Sequence, residues 1–119
     1  MNINELLSAA RDLLDRIDAG AVADELNAGA YLVDIRPAAQ RAAEGEAPGA
    51  LVIERNVLEW RLDPTSDARI PEAINHQVRW IVLCSQGYTS SLAAASLHQL
   101  GLHRATDVIG GYQELARFL

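Results

Sequence analysis

The chain has 119 residues, half of them hydrophobic, with a formal charge of −6 and a single cysteine. That suffices for one core and is too little for two ordinary domains. The acidic balance argues against a nucleic-acid surface, one cysteine excludes an intrachain disulfide and a thiolate-rich zinc site, and ten arginines without a lysine exclude lysine nucleophiles.

Residues 3–17 place Ile3, Leu6, Leu7, Ala10, Leu13, Leu14 and Ile17 at helical spacing, with Asn2 or Asn4 as the cap. A second helix is expected from Asp18, stopped by Gly29. "AYLVDIR" reads as a strand between Gly29 and Pro37. "PAAQRAAEG" then reads as a short helix, with Pro37 in its first turn and Gly45 at its end. "LVIE" is a short strand, and "RNVLEWRLDP" a helix of one or two turns with Asn56 as its cap. "TSDARIPEAINHQ" is a loop, "VRWIVLC" a strand and "TSSLAAASLHQLG" a helix ended by Gly101. "ATDVIGG" is the last strand and turn, and "YQELARFL" a closing helix.

Alternating strands and helices imply an α/β fold: one central parallel sheet of about five strands, with helices on both faces. The organisation expected is an N-terminal helix over residues 1–17 and a single domain over 18–119. The first helix either covers the sheet's edge or mediates a dimer. No signal peptide or membrane-spanning run is read, and one unpaired thiol fits a reducing compartment, so a cytoplasmic protein is expected.

Chemistry concentrates at Cys84. It is either a small hydrophobe ending a buried strand or a nucleophile. In a parallel α/β sheet, ligands bind beyond the carboxyl ends of the strands, which is where Cys84 falls. A helix starting near Thr89 or Ser90 aims its free N–H groups and positive dipole end at the loop. Gly87 lets the backbone turn inward, and Ser85, Gln86, Tyr88, Thr89 and Ser90 complete the candidate loop. Strand, cysteine, glycine-containing loop and helix together favour a reactive thiol.

Four stretches resemble the rhodanese-like domains, a family of sulfurtransferases. "LVDIRP" is similar to the family's aspartate-then-arginine motif, and "EGEAPGALVIERN" to its Gly-His-Ile-Pro-Gly-Ala turn. "CSQGYTS" resembles the six-residue loop that begins at the nucleophilic cysteine, and "VIGGYQEL" the Gly-Gly-aromatic segment before the last helix. The resemblance runs over residues 18–119 and implies a single rhodanese-like domain. It implies a sulfurtransferase in which Cys84 takes sulfane sulfur from a small donor anion such as thiosulfate and holds it as a persulfide. Cyanide, a thiol or a protein acceptor then removes it. No metal or organic cofactor is implied, and no nucleic acid or membrane partner.

The chain also departs from the family pattern. Glu46 and Ala47 stand where His and Ile are usual, and neutral Ser85 and Gln86 follow the cysteine where thiosulfate-active members carry basic residues. That motivates a second reading, a catalytically weak binding or regulatory module on the same fold. A third, a Cys-dependent phosphatase or arsenate reductase, is disfavoured: the related phosphatase loop is one residue longer and ends in an arginine, whereas Thr89 and Ser90 stand here. For the counter-charge of a donor anion the candidates are Arg55, then Arg61, then Arg36. Asp34 is expected to serve as a structural acceptor, and Arg36 to pair with an acid such as Glu44. Tyr88 is expected at the mouth of the pocket, and Trp60 in the core or at its rim.

Overall fold

The computed structural model describes residues 1–119. Ten elements follow one another: α1 (Ile3–Asp12), α2 (Val22–Asn27), β1 (Tyr31–Asp34), α3 (Ala38–Glu44), β2 (Leu51–Val52), α4 (Leu58–Leu62), β3 (Trp80–Leu83), α5 (Thr89–Gln99), β4 (Thr106–Asp107) and α6 (Gly111–Leu115). Short 3-10 turns at Ala19–Ala21 and Arg55–Val57 lead into α2 and α4, and a third at Ala116–Phe118 follows α6. All strand pairs are parallel, in the order β2-β1-β3-β4. A single parallel bridge between Ile17 and Val108 continues the sheet beyond β4. The sheet thus has four strands and one isolated bridge, against about five strands expected.

Strand alternation sorts the core into two layers. Trp80, Val82 and Cys84 face one side with Val33, Ile35, Leu58, Leu62, Ala93, Ala94 and Leu97, under α4 and α5. Ile81 and Leu83 face the other side with Val22, Leu32, Val108, Tyr112 and Leu115, under α2 and α6. Because successive strand residues point to opposite faces, a strand buried on both sides reads as the unbroken apolar run "WIVL". All four of its residues are fully buried.

The first helix is shorter than its apolar spacing suggests. The side chain of Asn2 caps it by accepting from the Glu5 amide at 2.9 Å. It ends at Asp12, where the Leu13 and Leu14 amides bond back to Ala10 and Arg11. Beyond that turn the chain extends, and Ile17 exchanges backbone hydrogen bonds with the sheet edge, donating to Asp107 at 3.1 Å and accepting from Ile109 at 2.9 Å. Ile17 continues the helical period of the sequence but satisfies its backbone in the sheet. At the second helix, Asp18 stands before a 3-10 turn and makes no side-chain cap bond. At the fourth, Asn56 lies inside the 3-10 turn and does not cap α4. No helix is long and apolar enough to cross a membrane.

Candidate active site

Cys84 is the first residue after β3, and the alternation of that strand turns its side chain toward the start of α5. The thiol is nearly buried, with the residue 4% exposed. Two backbone amides point at its sulfur: Gly87 N–H at 3.2 Å and Ser90 N–H at 3.4 Å. One comes from the loop and the other from the first turn of α5, an eleven-residue helix whose positive end lies at the thiol. The amides of Gln86, Tyr88 and Thr89 donate to no acceptor within the protein. A helix terminus and a turn of inward backbone donors form a concavity suited to an anion.

The loop is held closed from the α6 side by backbone alone. Tyr112 N–H donates to the Cys84 carbonyl at 2.8 Å, and Gln113 N–H to the Ser85 carbonyl at 3.1 Å. Two glycines permit this approach. Gly87 has φ +83°, and a Cβ there would sit 2.9 Å from Gly110 N and Val108 O. At Gly111, with φ +61°, a Cβ would lie 2.6 Å from both the Cys84 carbonyl oxygen and Gly87 N. The second glycine of "VIGGYQEL" is therefore required because backbone presses on backbone beneath the cysteine loop.

In front of the thiol lies an open pocket of about 340 Å³, to which Ile35, Arg36, Gln40, Glu44, Ser85, Gln86, Tyr88, Thr89 and Gln113 contribute. Tyr88 stands at its rim, 58% exposed. A larger depression of about 490 Å³ lies at the opposite end of the strands, around Tyr31, Pro71 and Arg104. No cysteine lines it; the one thiol of the chain lies in the smaller pocket.

The expected cations divide. Arg36 reaches the pocket but is fully engaged: its Nε and Nη2 bond the Asp34 carboxylate, Nη1 donates to Glu44 at 3.1 Å, and Nη2 donates to the Gly45 carbonyl at 2.9 Å. Its guanidinium stacks on Tyr112, 3.9 Å from the ring centre. Burial works against the Arg36 charge, yet hydrogen bonds to Asp34 and Glu44 raise its pKa above the ordinary arginine value. Asp34 is the structural acceptor here, taking the Arg36 backbone amide as well at 3.0 Å. Arg55 is absent from the pocket, because Glu59 one turn on takes its Nη1 at 2.9 Å. Arg61 lies on another surface and donates to the Ala68 carbonyl. The counter-charge sought at Arg55 and Arg61 is thus not beside the thiol. Trp60 is 62% exposed and outside the pocket.

The pocket instead presents an acid. Glu44 accepts from Ser85 Oγ at 2.6 Å and from Arg36. The Ser85 hydrogen bond, assisted by Arg36 and opposed by desolvation, holds its carboxyl below the usual glutamate range. With Asp34 and Glu44 against Arg36, this side of the site carries one net negative charge.

Behind the loop sits a polar network that sequence reading did not identify. The Gly87 carbonyl accepts from Arg11 Nη2 at 2.8 Å and from Arg16 Nη2 at 3.0 Å. Arg16 also forks onto fully buried Asp107, whose Oδ2 accepts from Ser90 Oγ at 2.8 Å and Ser91 Oγ at 2.7 Å. Arg11 Nε donates to Ser91 Oγ at 3.1 Å.

The model of the rhodanese-like domain family matches residues 10–117. No curated protein matches the chain significantly. Among solved structures, a Rhodopseudomonas palustris protein of unknown function, described as a possible tyrosine phosphatase, superposes with a TM-score of 0.86 at 23% identity, over 99% of this chain and 91% of its own. The human single-domain sulfurtransferase TSTD1 gives 0.68 at 25% identity, over 86% of this chain and 95% of its own. A rhodanese homologue from Thermus thermophilus gives 0.61 at 21% identity, over 84% and 99%.

Proposed function

Because the chain belongs to the rhodanese-like domain family, we propose that it is a sulfurtransferase that moves sulfane sulfur through a persulfide on Cys84. The observation that carries this reading is the pair of amides, from Gly87 and Ser90, aimed at a nearly buried Sγ at the head of α5. The thiol first loses its proton to solvent. The Cys84 thiolate then attacks the outer sulfur of a donor such as thiosulfate. A new S–S bond forms at Cys84, the donor's own S–S bond breaks, and sulfite departs with the electron pair. The terminal sulfur of the persulfide carries the negative charge, and the amides of residues 85–89 are the groups available to stabilise it. A thiophilic acceptor, cyanide or the thiolate of a small molecule or protein, attacks that sulfur and releases the Cys84 thiolate. The scheme is ping-pong. In this reading Asp34 and Arg36 maintain the pocket wall and do not react.

A second reading, a binding or regulatory module with little turnover, is favoured by the Glu44 carboxylate in the pocket and by neutral Ser85 and Gln86. A phosphatase or arsenate reductase has less support, because no free guanidinium lines the pocket to hold oxyanion oxygens. Intact mass before and after exposure to thiosulfate separates these readings. A gain of one sulfur atom on the wild type, absent from Cys84→Ser and removed by cyanide, is the expected result. No gain from thiosulfate or from any persulfide donor would leave the module. Turnover of an aryl phosphate that is abolished in Cys84→Ser would establish the phosphatase.

A further inference from the structure

The open side of the site is net negative, yet both the thiolate and the persulfide are anions. The compensating charge lies behind the loop. Each amide that touches Sγ belongs to a residue whose other polar group is fixed by the N-terminal segment or by Asp107. Gly87 donates to sulfur through its N–H and accepts from Arg11 and Arg16 through its carbonyl. Ser90 donates to sulfur through its N–H and to Asp107 through its hydroxyl. Asp107 is in turn held by Arg16. Arg11 also lies 5.4 Å from the ring centre of Tyr88, so it touches three successive parts of the loop and helix start: Gly87, Tyr88 and Ser91.

The charges of the two arginines differ in effect. Arg16 is matched by Asp107 at 2.8 Å. Arg11 has no carboxylate within salt-bridge distance. Its positive charge, hydrogen-bonded to the same residue whose amide faces Sγ, is the uncompensated cation of the loop. Charge near a group shifts its ionisation toward the oppositely charged form, and partial burial weakens solvent screening.

We propose that Arg11 and Arg16 are positioning residues of the sulfur site: the end of α1 and the segment after it clamp the Gly87 carbonyl, and Arg11 supplies the positive potential that the pocket itself lacks. The proposal rests on the sulfur-transfer reading for its catalytic consequence, but its electrostatic part stands on the thiol alone. The two are tested separately. The first readout is the rate of Cys84 alkylation by iodoacetamide at one fixed pH, which needs no sulfur donor. Arg11→Gln is expected to slow alkylation about three- to tenfold relative to the unaltered protein. Arg11→Lys, which keeps the charge and loses the fork, recovers most of that rate. Arg104→Gln, which removes a cation at the opposite end of the strands, alkylates at the rate of the unaltered protein. The second readout is the rate of sulfur loading from thiosulfate, expected to fall about three- to tenfold in Arg11→Gln. Arg16→Gln leaves Asp107 buried without its cation and is expected to be less stable as well as slower, so Arg11, which holds no buried carboxylate, carries the test. An unchanged alkylation rate in Arg11→Gln would overturn the proposal whether or not the protein loads sulfur. Failure of the wild type to load sulfur, with the slower alkylation of Arg11→Gln intact, would remove the sulfurtransferase reading and leave the clamp.

Discussion

Three glycine-to-alanine substitutions separate conformational cost from contact at the cysteine loop. All three glycines have positive φ: Gly49 +77°, Gly87 +83° and Gly111 +61°. An L-residue in that region costs about 1–2 kcal/mol, and the stiffer unfolded chain returns about 0.4–1 kcal/mol. A Cβ on Gly49 meets nothing within 4 Å, so Gly49→Ala is expected to cost roughly 0.5–1 kcal/mol. A Cβ on Gly87 meets two backbone atoms at 2.9 Å, neither the end of a flexible side chain. Forced overpacking adds about 1–3 kcal/mol, giving roughly 1.5–4 kcal/mol for Gly87→Ala. Gly111→Ala, with backbone atoms at 2.6 Å, is expected to exceed it. Unfolding entropy of about 2.1 cal/mol/K per residue converts 1 kcal/mol to about 4 °C for a chain of this length. Thermal melts followed by circular dichroism should therefore rank Gly49→Ala within about 4 °C of the parent, Gly87→Ala roughly 6–16 °C below it, and Gly111→Ala lower still. Cys84 alkylation should also change in Gly87→Ala, whose amide faces Sγ, and not in Gly49→Ala. If Gly87→Ala and Gly49→Ala melted together, the close backbone approach under the cysteine would be wrong.

The wall of the pocket gives two more expectations. Asp34→Ala strips the buried Arg36 guanidinium of its bidentate partner and should cost about 3–5 kcal/mol in urea unfolding; a loss below about 1 kcal/mol would mean that Glu44 and the Gly45 carbonyl suffice on their own. Glu44 titrates below its ordinary value in the folded protein, so its ion pair and hydrogen bond contribute stability above about pH 4.3, and the contribution is lost as pH falls through the lowered folded value. Urea midpoints measured from pH 6 to pH 3 should fall more steeply for the wild type than for Glu44→Gln; parallel profiles would refute the linkage.

What was legible in the sequence was what neighbouring residues decide together. "WIVL" announced a strand buried on both faces because its layer assignment needs only strand alternation. The loop from Cys84 to Ser90 was legible because strand end, cysteine, glycine and helix start are contiguous. β2 and β4 were harder, since each is only two residues long and little alternation distinguishes them. The Asp107 network was not legible at all. Its hydroxyl donors lie 16 and 17 residues away and Arg16 lies 91 away, so no local spacing links them.

The misplaced counter-charge follows from the same limit. Arg55 stands past the end of β2, where ligands of parallel sheets bind, and it was the natural choice. However, Glu59 lies at i+4 on one short helical stretch, and that local pair holds the guanidinium away from the pocket. Arg11 shows the converse. Asp15 also stands at i+4 from Arg11, and a helix continued to residue 17 would bring the two together. The helix ends at Asp12 instead. Asp15 turns away to Arg79 at 3.0 Å, and Arg11 is left to reach the Gly87 carbonyl, 76 residues along the chain. The early end of α1 thus frees the one cation on the loop that no carboxylate pairs. A substitution that prolongs α1 through Leu13 and Leu14 should pair Arg11 with Asp15 and weaken the site without touching any residue of the pocket.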